Sequence, residues 1–368
     1  MGAVTNHLRR VGAILSTALF LLTTLAPGQA NQNNSPNFKI REGKNNRLPQ
    51  LKTALPKFIQ IFGLFIQATS NVPETKLLHA ADIAADFLDN DRDGKPDNPK
   101  VNDMLWIKRS AVIMGYNERE LESLYDRYGK VFDAYTLQGL YSTETIPDGG
   151  PHNPKSTEFD ATIEEILHII TSPGYAEVYP DVFGERKGSV LAKAMDIARR
   201  GYFRTVPRRY PSGAWYSYDD KTCNYGCQIT EYFYWALTSL LDGQDFRDRG
   251  RAISHEWKLN TPEKLQSNDK AVVRILTNLN YKLPTRLPDG KYRRQIKQTA
   301  ILPEIISDEN RSMLTSKLSS DSTAVVEKTN HLLSWSVARN IQRYNDFLEQ
   351  PTETGSSQVQ FFRLRFDN

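Results

Sequence analysis

The sequence predicts a mainly helical α+β protein. Three observations support this fold class: apolar residues recur at helical spacing up to about residue 129, short β-like runs lie between 130 and 150, and helical spacing returns after residue 156. Hydrophobic residues make up 39% of the 368 residues and charged residues 24%, which is typical of a protein with a packed core. The formal net charge of +4 is too small for a dedicated nucleic-acid binder, so we expect no nucleic-acid partner.

The first thirty residues have the pattern of a secretory signal peptide. Arg9 and Arg10 precede an apolar run at 11–26, which is too short to span a membrane comfortably. Gly28 and Ala30 place small residues at the −3 and −1 positions of a cleavage site after Ala30. We therefore expect a secreted protein, extracellular or periplasmic, with no membrane span in the mature chain. An uncleaved membrane anchor is the alternative.

The remaining chain divides into four regions. The polar, Asn-rich segment 31–50 predicts a flexible leader, and 51–129 predicts a helical region that contains an Asp-rich loop. A core region over 130–295 begins with the β-like runs and continues with helices. The extension over 296–368 is predicted to be helical, notably in HLLSWSVARNIQRYNDFLEQ, and to end in the strand VQFFRLRF.

Individual helices are predicted from apolar spacing within these regions. The first region has three such runs, LPKFIQIFGLFIQ, KLLHAADIAADFLD and NDMLWIKRSAVIMG. In the core region, the helical pattern of 156–203 is interrupted by Ser-Pro-Gly at 172–174. Further helices are expected over Glu231–Leu241, 247–258 and 268–278.

The two cysteines, Cys223 and Cys227, lie four residues apart. In an exported protein we expect them to form a local disulfide bond. A metal-binding pair is the alternative, but the CxxxC spacing without a second Cys or His pair nearby is a weak zinc pattern.

The Asp-rich loop has the spacing of a calcium site. Carboxylates occupy its positions 1, 3, 5 and 9, and the glycine at position 6 permits a sharp turn. The candidate ligands are Asp89, Asp91, Asp93, Lys95 and Asp97. Position 12 is Lys100 instead of Glu, so the loop resembles those of dockerin and thrombospondin repeats more than an EF-hand. An acidic turn between two helices is the alternative.

The segment FDATIEEILHIITSPGY carries the strongest chemical signal. At 100° per residue, four apolar residues fall on one helix face that should contact the core: Ile163, Ile166, Leu167 and Ile170. Glu164 and His168 lie at i and i+4, with Cβ atoms about 5–6 Å apart, close enough to share a metal ion. The H-E-x-x-H helix of zinc peptidases holds its metal at this spacing and has its general base at i+1. A helix with solvated carboxylates is the alternative.

A second segment, YGCQITEYFYWAL, completes a resemblance to the gluzincin metallopeptidases, in particular the family of anthrax lethal factor and the Pro-Pro endopeptidases. There, a Tyr-Gly pair followed by Glu supplies the catalytic tyrosine and the third zinc ligand. The resemblance implies a zincin-like core over 130–295. It implies these site residues: zinc ligands Glu164, His168 and Glu231, general base Glu165, and oxyanion-side tyrosine Tyr225. The chain departs from the family at Glu164, where the family has His, and at Trp235, where it has a second Glu.

Two further clusters are interpreted as solvated or salt-bridged surface. On the helix before the Asp-rich loop, one face carries His79, Asp82 and Asp86, for which a second metal-binding face is the alternative. Further along, aromatic residues interleave with five arginines: Arg199, Arg200, Arg204, Arg208 and Arg209. The loop that follows is rich in Tyr and Trp and leads into the helix of Glu231, so we expect a ligand cleft beside it.

We therefore expect a secreted metal-dependent hydrolase, most simply a peptidase acting on a peptide or protein, with zinc in the core region and calcium in the Asp-rich loop. The alternative is a non-catalytic secreted calcium-binding or adhesion protein on a degenerate zincin-like scaffold. A glycosidase would instead pair Glu164 or Glu165 with Asp219 or Glu231. The sequence contains neither a G-x-S-x-G elbow nor a phosphate-binding Gly loop.

Overall fold

Five strands form a mixed β-sheet in the first half of the protein. The computed structural model describes residues 38–293 and six later strands between 304 and 367, so the predicted signal peptide (1–30) lies outside the described residues. The strands are β1 (Arg41–Glu42), β2 (Lys57–Ile61), β3 (Leu64–Ala68), β4 (Ser110–Gly115) and β5 (Thr136–Tyr141). They lie in sequence order across the sheet; β1, β2 and β3 pair antiparallel, whereas β3, β4 and β5 pair parallel.

The β2–β3 hairpin stands where a helix was predicted from the run LPKFIQIFGLFIQ. Ile59 pairs with Ile66 and both are buried on one face of the sheet, whereas Phe65 is buried on the other face. A strand that is covered on both faces is a continuous apolar run, which its sequence alone does not distinguish from a buried helix. At the turn, a Cβ on Gly63 would lie 2.1 Å from the main-chain oxygen of Asn102, so this close approach requires glycine.

Three helices connect the later strands of the sheet and cover both of its faces. α1 (Glu74–Leu88) and α2 (Pro99–Ile107) lie between β3 and β4, and α3 (Glu118–Phe132) lies between β4 and β5, as parallel pairing requires. α1 contacts β2 and β3 and buries four alanines: Ala80, Ala81, Ala84 and Ala85. On the other face, Leu121 and Phe132 of α3 pack against β3 and β4.

A helical part follows the sheet. α4 (Thr162–Ile170) continues into a wide π-helical turn at Thr171–Tyr175, where the sequence predicted an interruption at 172–174. The later helices are α5 (Ala176–Val178), α6 (Pro180–Phe183), α7 (Val190–Ala198), α8 (Tyr225–Leu240), α9 (Arg249–Ala252), α10 (Pro262–Asn268) and α11 (Lys270–Leu276). None of the helices formed by the described residues combines the length and the apolar character needed to cross a membrane.

α8 covers the helix predicted over Glu231–Leu241 except for its last residue, and begins six residues before it. The side chain of Asn224 accepts hydrogen bonds from the first-turn N–H groups and so fixes this start. Cys223 and Cys227 form the predicted disulfide bond, with Cα atoms 5.4 Å apart, and join the capping segment to the first turn of α8.

The sheet and the helical part share one hydrophobic core. Ile66 and Val112 of the sheet belong to the same cluster as Ile166 of α4 and Phe233 of α8. α4 contacts β4, β5, α1 and α8, so it lies between the sheet and the later helices. This position brings the residues of α4 close to those of α8.

Six strands of the 296–368 region pair into two antiparallel sheets. They are β6 (Glu304–Ser307), β7 (Ser312–Ser316), β8 (Thr323–Thr329), β9 (Ser336–Ile341), β10 (Leu348–Thr352) and β11 (Phe361–Asp367). The sheet orders are β10-β7-β6 and β11-β8-β9. The helix prediction is wrong for β6–β10, where β-branched runs such as TAVVEKT favour strands. The predicted final strand is confirmed, and it is an edge strand.

Candidate metal centre

α4 turns its predicted apolar face toward the core. The four residues of that face are at most 2% exposed: Ile163, Ile166, Leu167 and Ile170. On the adjoining face, α4 carries Glu164 and His168, and the contact with α8 brings them close to Glu231 in the second turn of α8. The three residues expected to share an ion are therefore close together.

The candidate ligand atoms of Glu164, His168 and Glu231 all lie within 4.8 Å of one another. His168 Nε2 is 3.6 Å from Glu231 Oε2 and, among the described residues, has no hydrogen-bond partner. A buried polar atom without a partner is costly, and most such atoms in native proteins are satisfied by protein, water or an ion. This group can therefore hold a metal ion.

Burial and mutual repulsion shape the charges of this group. Burial, together with the nearby Glu231 carboxylate, raises the pKa of Glu164 to about 8, although His168 opposes the rise. Burial by itself lowers the pKa of His168, but the carboxylates of Glu231 and Glu165 outweigh it and hold that pKa above its usual value. A bound ion requires Glu164 ionised and His168 neutral, and in those states the two carboxylates and the imidazole have a net negative charge that a divalent cation would neutralise.

Glu165 lies on the opposite side of the His168 ring from Glu231. Its Oε2 is 3.9 Å from His168 Nδ1 and accepts a hydrogen bond from Gln138 of β5. A further carboxylate, Glu144, lies near it: burial raises the pKa of Glu144 to about 7, and the charge of Glu165 contributes. The predicted base is thus next to the candidate ligands and is held from the sheet.

Tyr225 is not brought to this group. Its hydroxyl donates to Asp196 Oδ2 at 3.0 Å, and its ring lies 5.3 Å from the guanidinium of Arg199. Tyr218 lies at the group instead: burial raises its pKa, and so does the charge of Glu231. Tyr218 is in the aromatic loop where the sequence indicated a cleft. The spacing of Tyr218 and Glu231 in the sequence, however, does not indicate that the two residues lie close together.

Tyr234 is a second tyrosine at the group. Its ring meets that of His168 edge-on at 5.7 Å, and burial together with the charge of Glu164 raises its pKa. Its hydroxyl accepts a hydrogen bond from Gln244 at 3.0 Å. Because Tyr234 follows Glu231 by three residues, helical periodicity places the two on one face of α8 and was a usable signal.

In the arginine cluster, the most buried residue, Arg199, forms a salt bridge, as expected. Arg199 is fully buried, forms an ion pair with Asp196 at 2.7 Å, and donates a hydrogen bond to Gln228 Oε1 at 2.5 Å. Gln228 lies on α8, so this network fixes the N-terminal part of α8 against α7.

The Asp-rich loop brings together three of its five predicted ligands. Candidate ligand oxygens of Asp89, Asp91 and Asp97 lie within 4.8 Å of one another. Asp93 Oδ1 accepts a hydrogen bond from the main-chain N–H of Lys95, which keeps the turn compact. The loop can therefore hold a metal ion through Asp89, Asp91 and Asp97.

The same loop is bound to a later segment of the chain. The Asp89 carboxylate accepts hydrogen bonds from Gly94 N and from the Tyr292 hydroxyl. Arg92 forms ion pairs with Asp86 at 2.7 Å and with Asp289 at 2.6 Å. The loop thus joins the end of α1 to residues 289–292.

The prediction of a solvated stripe on α1 is wrong for His79 and Asp86. His79 and Asp86 are buried, at 7% and 0% exposure, and each has a specific partner: Asp86 pairs with Arg92, and His79 contacts Asp160. His79, His152 and Asp160 form another group that can hold a metal ion. No spacing pattern in the sequence indicates this group, because His79 is far along the chain from His152 and Asp160.

Asp219 does not join Glu164 or Glu165 in a metal-type group. It lies with His255 and Glu256 in a separate group at the surface. Asp219 therefore gives no support to the pairing expected for a glycosidase, whereas Glu164 and Glu231, its other expected pairing, have carboxylate oxygens within 4.8 Å of each other.

No family model matches the chain, and neither a curated protein nor a solved structure shows significant similarity to it. What the chain does has to be argued from its own residues. It is an α+β protein with one disulfide bond among the described residues and several side-chain groups that can hold a metal ion.

Proposed function

We propose that the protein is a secreted metal-dependent hydrolase, most simply a peptidase, with its ion held by Glu164, His168 and Glu231. One observation carries the proposal: the two helices singled out by the gluzincin resemblance bring these three side chains together around a buried, unpartnered imidazole nitrogen. The signal-like N-terminus and the disulfide bond support export.

The donor set suits zinc. Zinc accepts both imidazole nitrogen and carboxylate oxygen, and catalytic sites have three protein ligands and one open position. Compared with a His₂Glu set, two carboxylates leave the site more anionic, which also suits harder divalent ions such as Mn²⁺. We propose zinc as the resident ion.

The side chains around the group have distinct roles in the proposed reaction. A bound zinc ion would acidify a water molecule and polarise the scissile carbonyl. Glu165 accepts the proton of that water; it lies next to His168, and the hydrogen bond from Gln138 keeps it oriented. Tyr218, beside Glu231, donates a hydrogen bond to the developing oxyanion. In this proposal Tyr218 has the role that the resemblance gave to Tyr225.

We further propose that the Asp-rich loop binds calcium in a structural role. Its carboxylate oxygens are hard donors, and its contacts to Asp289 and Tyr292 tie the end of α1 to a distant part of the chain. A protein with this site alone would be the non-catalytic calcium-binding alternative. Elemental analysis distinguishes the two, because the hydrolase contains an equivalent of zinc that is lost when Glu231 is replaced, whereas the alternative holds no zinc at this group.

The experiment combines metal content and turnover in three purified full-chain variants. We expect Glu231→Gln to lose zinc, and Glu165→Gln to keep zinc but lose cleavage of a mixed library of internally quenched peptides. Glu122→Gln, at an exposed position on α3, is the matched control and should keep both. Full peptide cleavage by the zinc-containing Glu165→Gln variant would contradict the role of the base, and zinc-free wild-type protein would contradict the site.

A further inference from the structure

A second group of metal-type ligands lies away from the site of Glu231. His79 comes from α1, whereas His152 and Asp160 come from the segment that joins β5 to α4. His79 Nε2 is 2.6 Å from Asp160 Oδ2, and His152 Nε2 is 3.2 Å from the same oxygen. The two imidazoles come from different parts of the chain, and each has its Nε2 atom directed at Asp160 Oδ2.

The carboxylate is fixed in place by the main chain. Asp160 is fully buried, and its other oxygen, Oδ1, accepts hydrogen bonds from Ile146 N at 2.9 Å and Thr162 N at 3.3 Å. Oδ2 is thus left to face the two histidines. The side chain of His79 is 6% exposed and that of His152 is 10% exposed, so the group is shielded from bulk water.

A later segment closes the group from one side. Gly290, at φ +67°, lies against the His79 ring, and a Cβ there would be 2.4 Å from His79 Cε1. Both the backbone conformation and this close approach require glycine. The segment that the Asp-rich loop binds through Asp289 therefore also covers the imidazole.

Two imidazoles and one carboxylate are a typical donor set for divalent transition metals. Without an ion, a hydrogen bond from each Nε2 to Asp160 Oδ2 requires a proton on that nitrogen, because an ionised carboxylate only accepts. When each neutral ring moves its single proton to Nδ1, both Nε2 lone pairs become free, and no proton has to leave the protein. A buried carboxylate with two neutral imidazoles has a charge of −1, which a divalent cation offsets.

We propose that His79, His152 and Asp160 form a second transition-metal site, which binds zinc and joins α1 to the segment between β5 and α4. Asp160 stands immediately before the first turn of α4, the helix that carries Glu164 and His168. Zinc prefers four ligands, so water completes the coordination. The proposal does not depend on the proposed hydrolase activity.

The test is zinc stoichiometry in the full chain, with excess calcium present to saturate the Asp-rich loop. We expect His152→Gln to remove one equivalent of zinc both from the wild-type protein and from the Glu231→Gln variant. Asp160→Asn should do the same, although its amide oxygen can still accept the two main-chain hydrogen bonds. Glu122→Gln, at an exposed position on α3 outside the metal-type groups of the described residues, is the control and should keep all bound zinc.

A second measurement shows whether a variant loses zinc because it lacks a ligand or because it misfolds. In the Glu231→Gln background, zinc should raise the Tm of the protein, and it should leave the Tm of Glu231→Gln/His152→Gln unchanged, with far-UV circular dichroism the same for both. An unchanged zinc content after His152→Gln would overturn the proposal, and so would equal losses for His152→Gln and Glu122→Gln. In both cases the histidine–aspartate group would be a hydrogen-bonded cluster only.

Discussion

His168 Nε2 lies 3.6 Å from Glu231 Oε2, a separation that is too long for a hydrogen bond. Two atoms that bind one tetrahedral zinc ion at about 2.0–2.2 Å each are separated by about 3.4 Å. The packing of α4 on α8 thus holds the two side chains at a spacing suited to a shared ion. Among the described residues, His168 Nε2 has no hydrogen-bond partner, which agrees with that interpretation.

Replacing Glu164 by Gln should have opposite effects with and without metal. In chelator-treated protein, burial raises the pKa of Glu164 to about 8, so the wild type loses stability as pH rises from the unfolded pKa toward 8. Glu164→Gln removes this penalty, and the metal-free variant should have a higher Tm at pH 8. Because the variant lacks an anionic ligand, zinc should raise its Tm less than that of the wild type.

Paired thermal scans at pH 8, with chelator and with zinc, measure both effects. The exposed Glu122→Gln substitution should change neither value. If Glu164→Gln gains as much Tm from zinc as the wild type, Glu164 is not a ligand.

The two tyrosines give a sharper test of which hydroxyl acts in turnover. Tyr218→Phe should lower kcat by about 10²–10³, the usual cost of losing one oxyanion donor, with little change in KM. Tyr225→Phe should leave kcat unchanged, since its hydroxyl donates to Asp196 instead. That variant should lose about 1 kcal/mol of unfolding free energy, the typical value of one hydrogen bond.

Steady-state kinetics and urea unfolding on the two variants provide these numbers. The two phenylalanine variants serve as controls for each other, because each removes a single tyrosine hydroxyl and only the one from Tyr218 lies near Glu231. A loss of kcat in Tyr225→Phe with full activity in Tyr218→Phe would restore the role that the resemblance implied.

The apolar face of α4 could be predicted from the sequence, whereas the β2–β3 hairpin could not. Ile163 and Ile166 recur at helical spacing, and only a helix buries both on one side. In the hairpin, the faces of Ile66 and Phe65 are both covered, so no alternation of polar and apolar residues remains to indicate a strand.

The sequence could predict the part of the candidate site whose residues are close to one another in the chain. Glu164 and His168 share a helix turn, and their spacing alone brings them together. The contact of His79 with Asp160 depends on how α1 packs beside α4, and no local pattern encodes that packing. For the same reason the sequence indicated Tyr225, which is near Glu231 in the chain, and not Tyr218, which is near it in space.

Glu144 should give the protein a pH-dependent stability that a single substitution removes. Burial raises its folded-state pKa from 4.5 to about 7, with Glu165 contributing, so the folded state favours the protonated form. The wild type therefore loses stability as pH rises between about 4.5 and 7, and the full loss is present above 7. Glu144→Gln mimics the protonated form and can still accept the hydrogen bond from Tyr141 N.

Urea unfolding of wild type and Glu144→Gln from pH 4 to pH 8 measures this dependence. We expect equal stabilities near pH 4 and a more stable variant at pH 8. A difference that is constant with pH, or one that grows toward low pH, would contradict the raised pKa of Glu144.

Calcium should stabilise the protein through the Asp-rich loop, and Asp91→Asn should weaken that effect. Extracellular loops of this kind bind calcium with a Kd of about 10⁻⁴–10⁻³ M. At ten times its Kd, a ligand that binds only the folded state adds about 1.4 kcal/mol to the free energy of unfolding. Asn can still accept the hydrogen bond that Asp91 Oδ1 receives from Asp93 N, so the substitution removes a charge and keeps the turn.

Asp103→Asn is the matched control for this calcium effect. Asp103 is an exposed carboxylate on α2, outside the group formed by Asp89, Asp91 and Asp97. Urea unfolding with and without calcium should give the full gain in the wild type and in Asp103→Asn, and a smaller one in Asp91→Asn. Equal gains in all three proteins would mean that calcium acts elsewhere, because only a group that includes Asp91 responds to the loss of its charge.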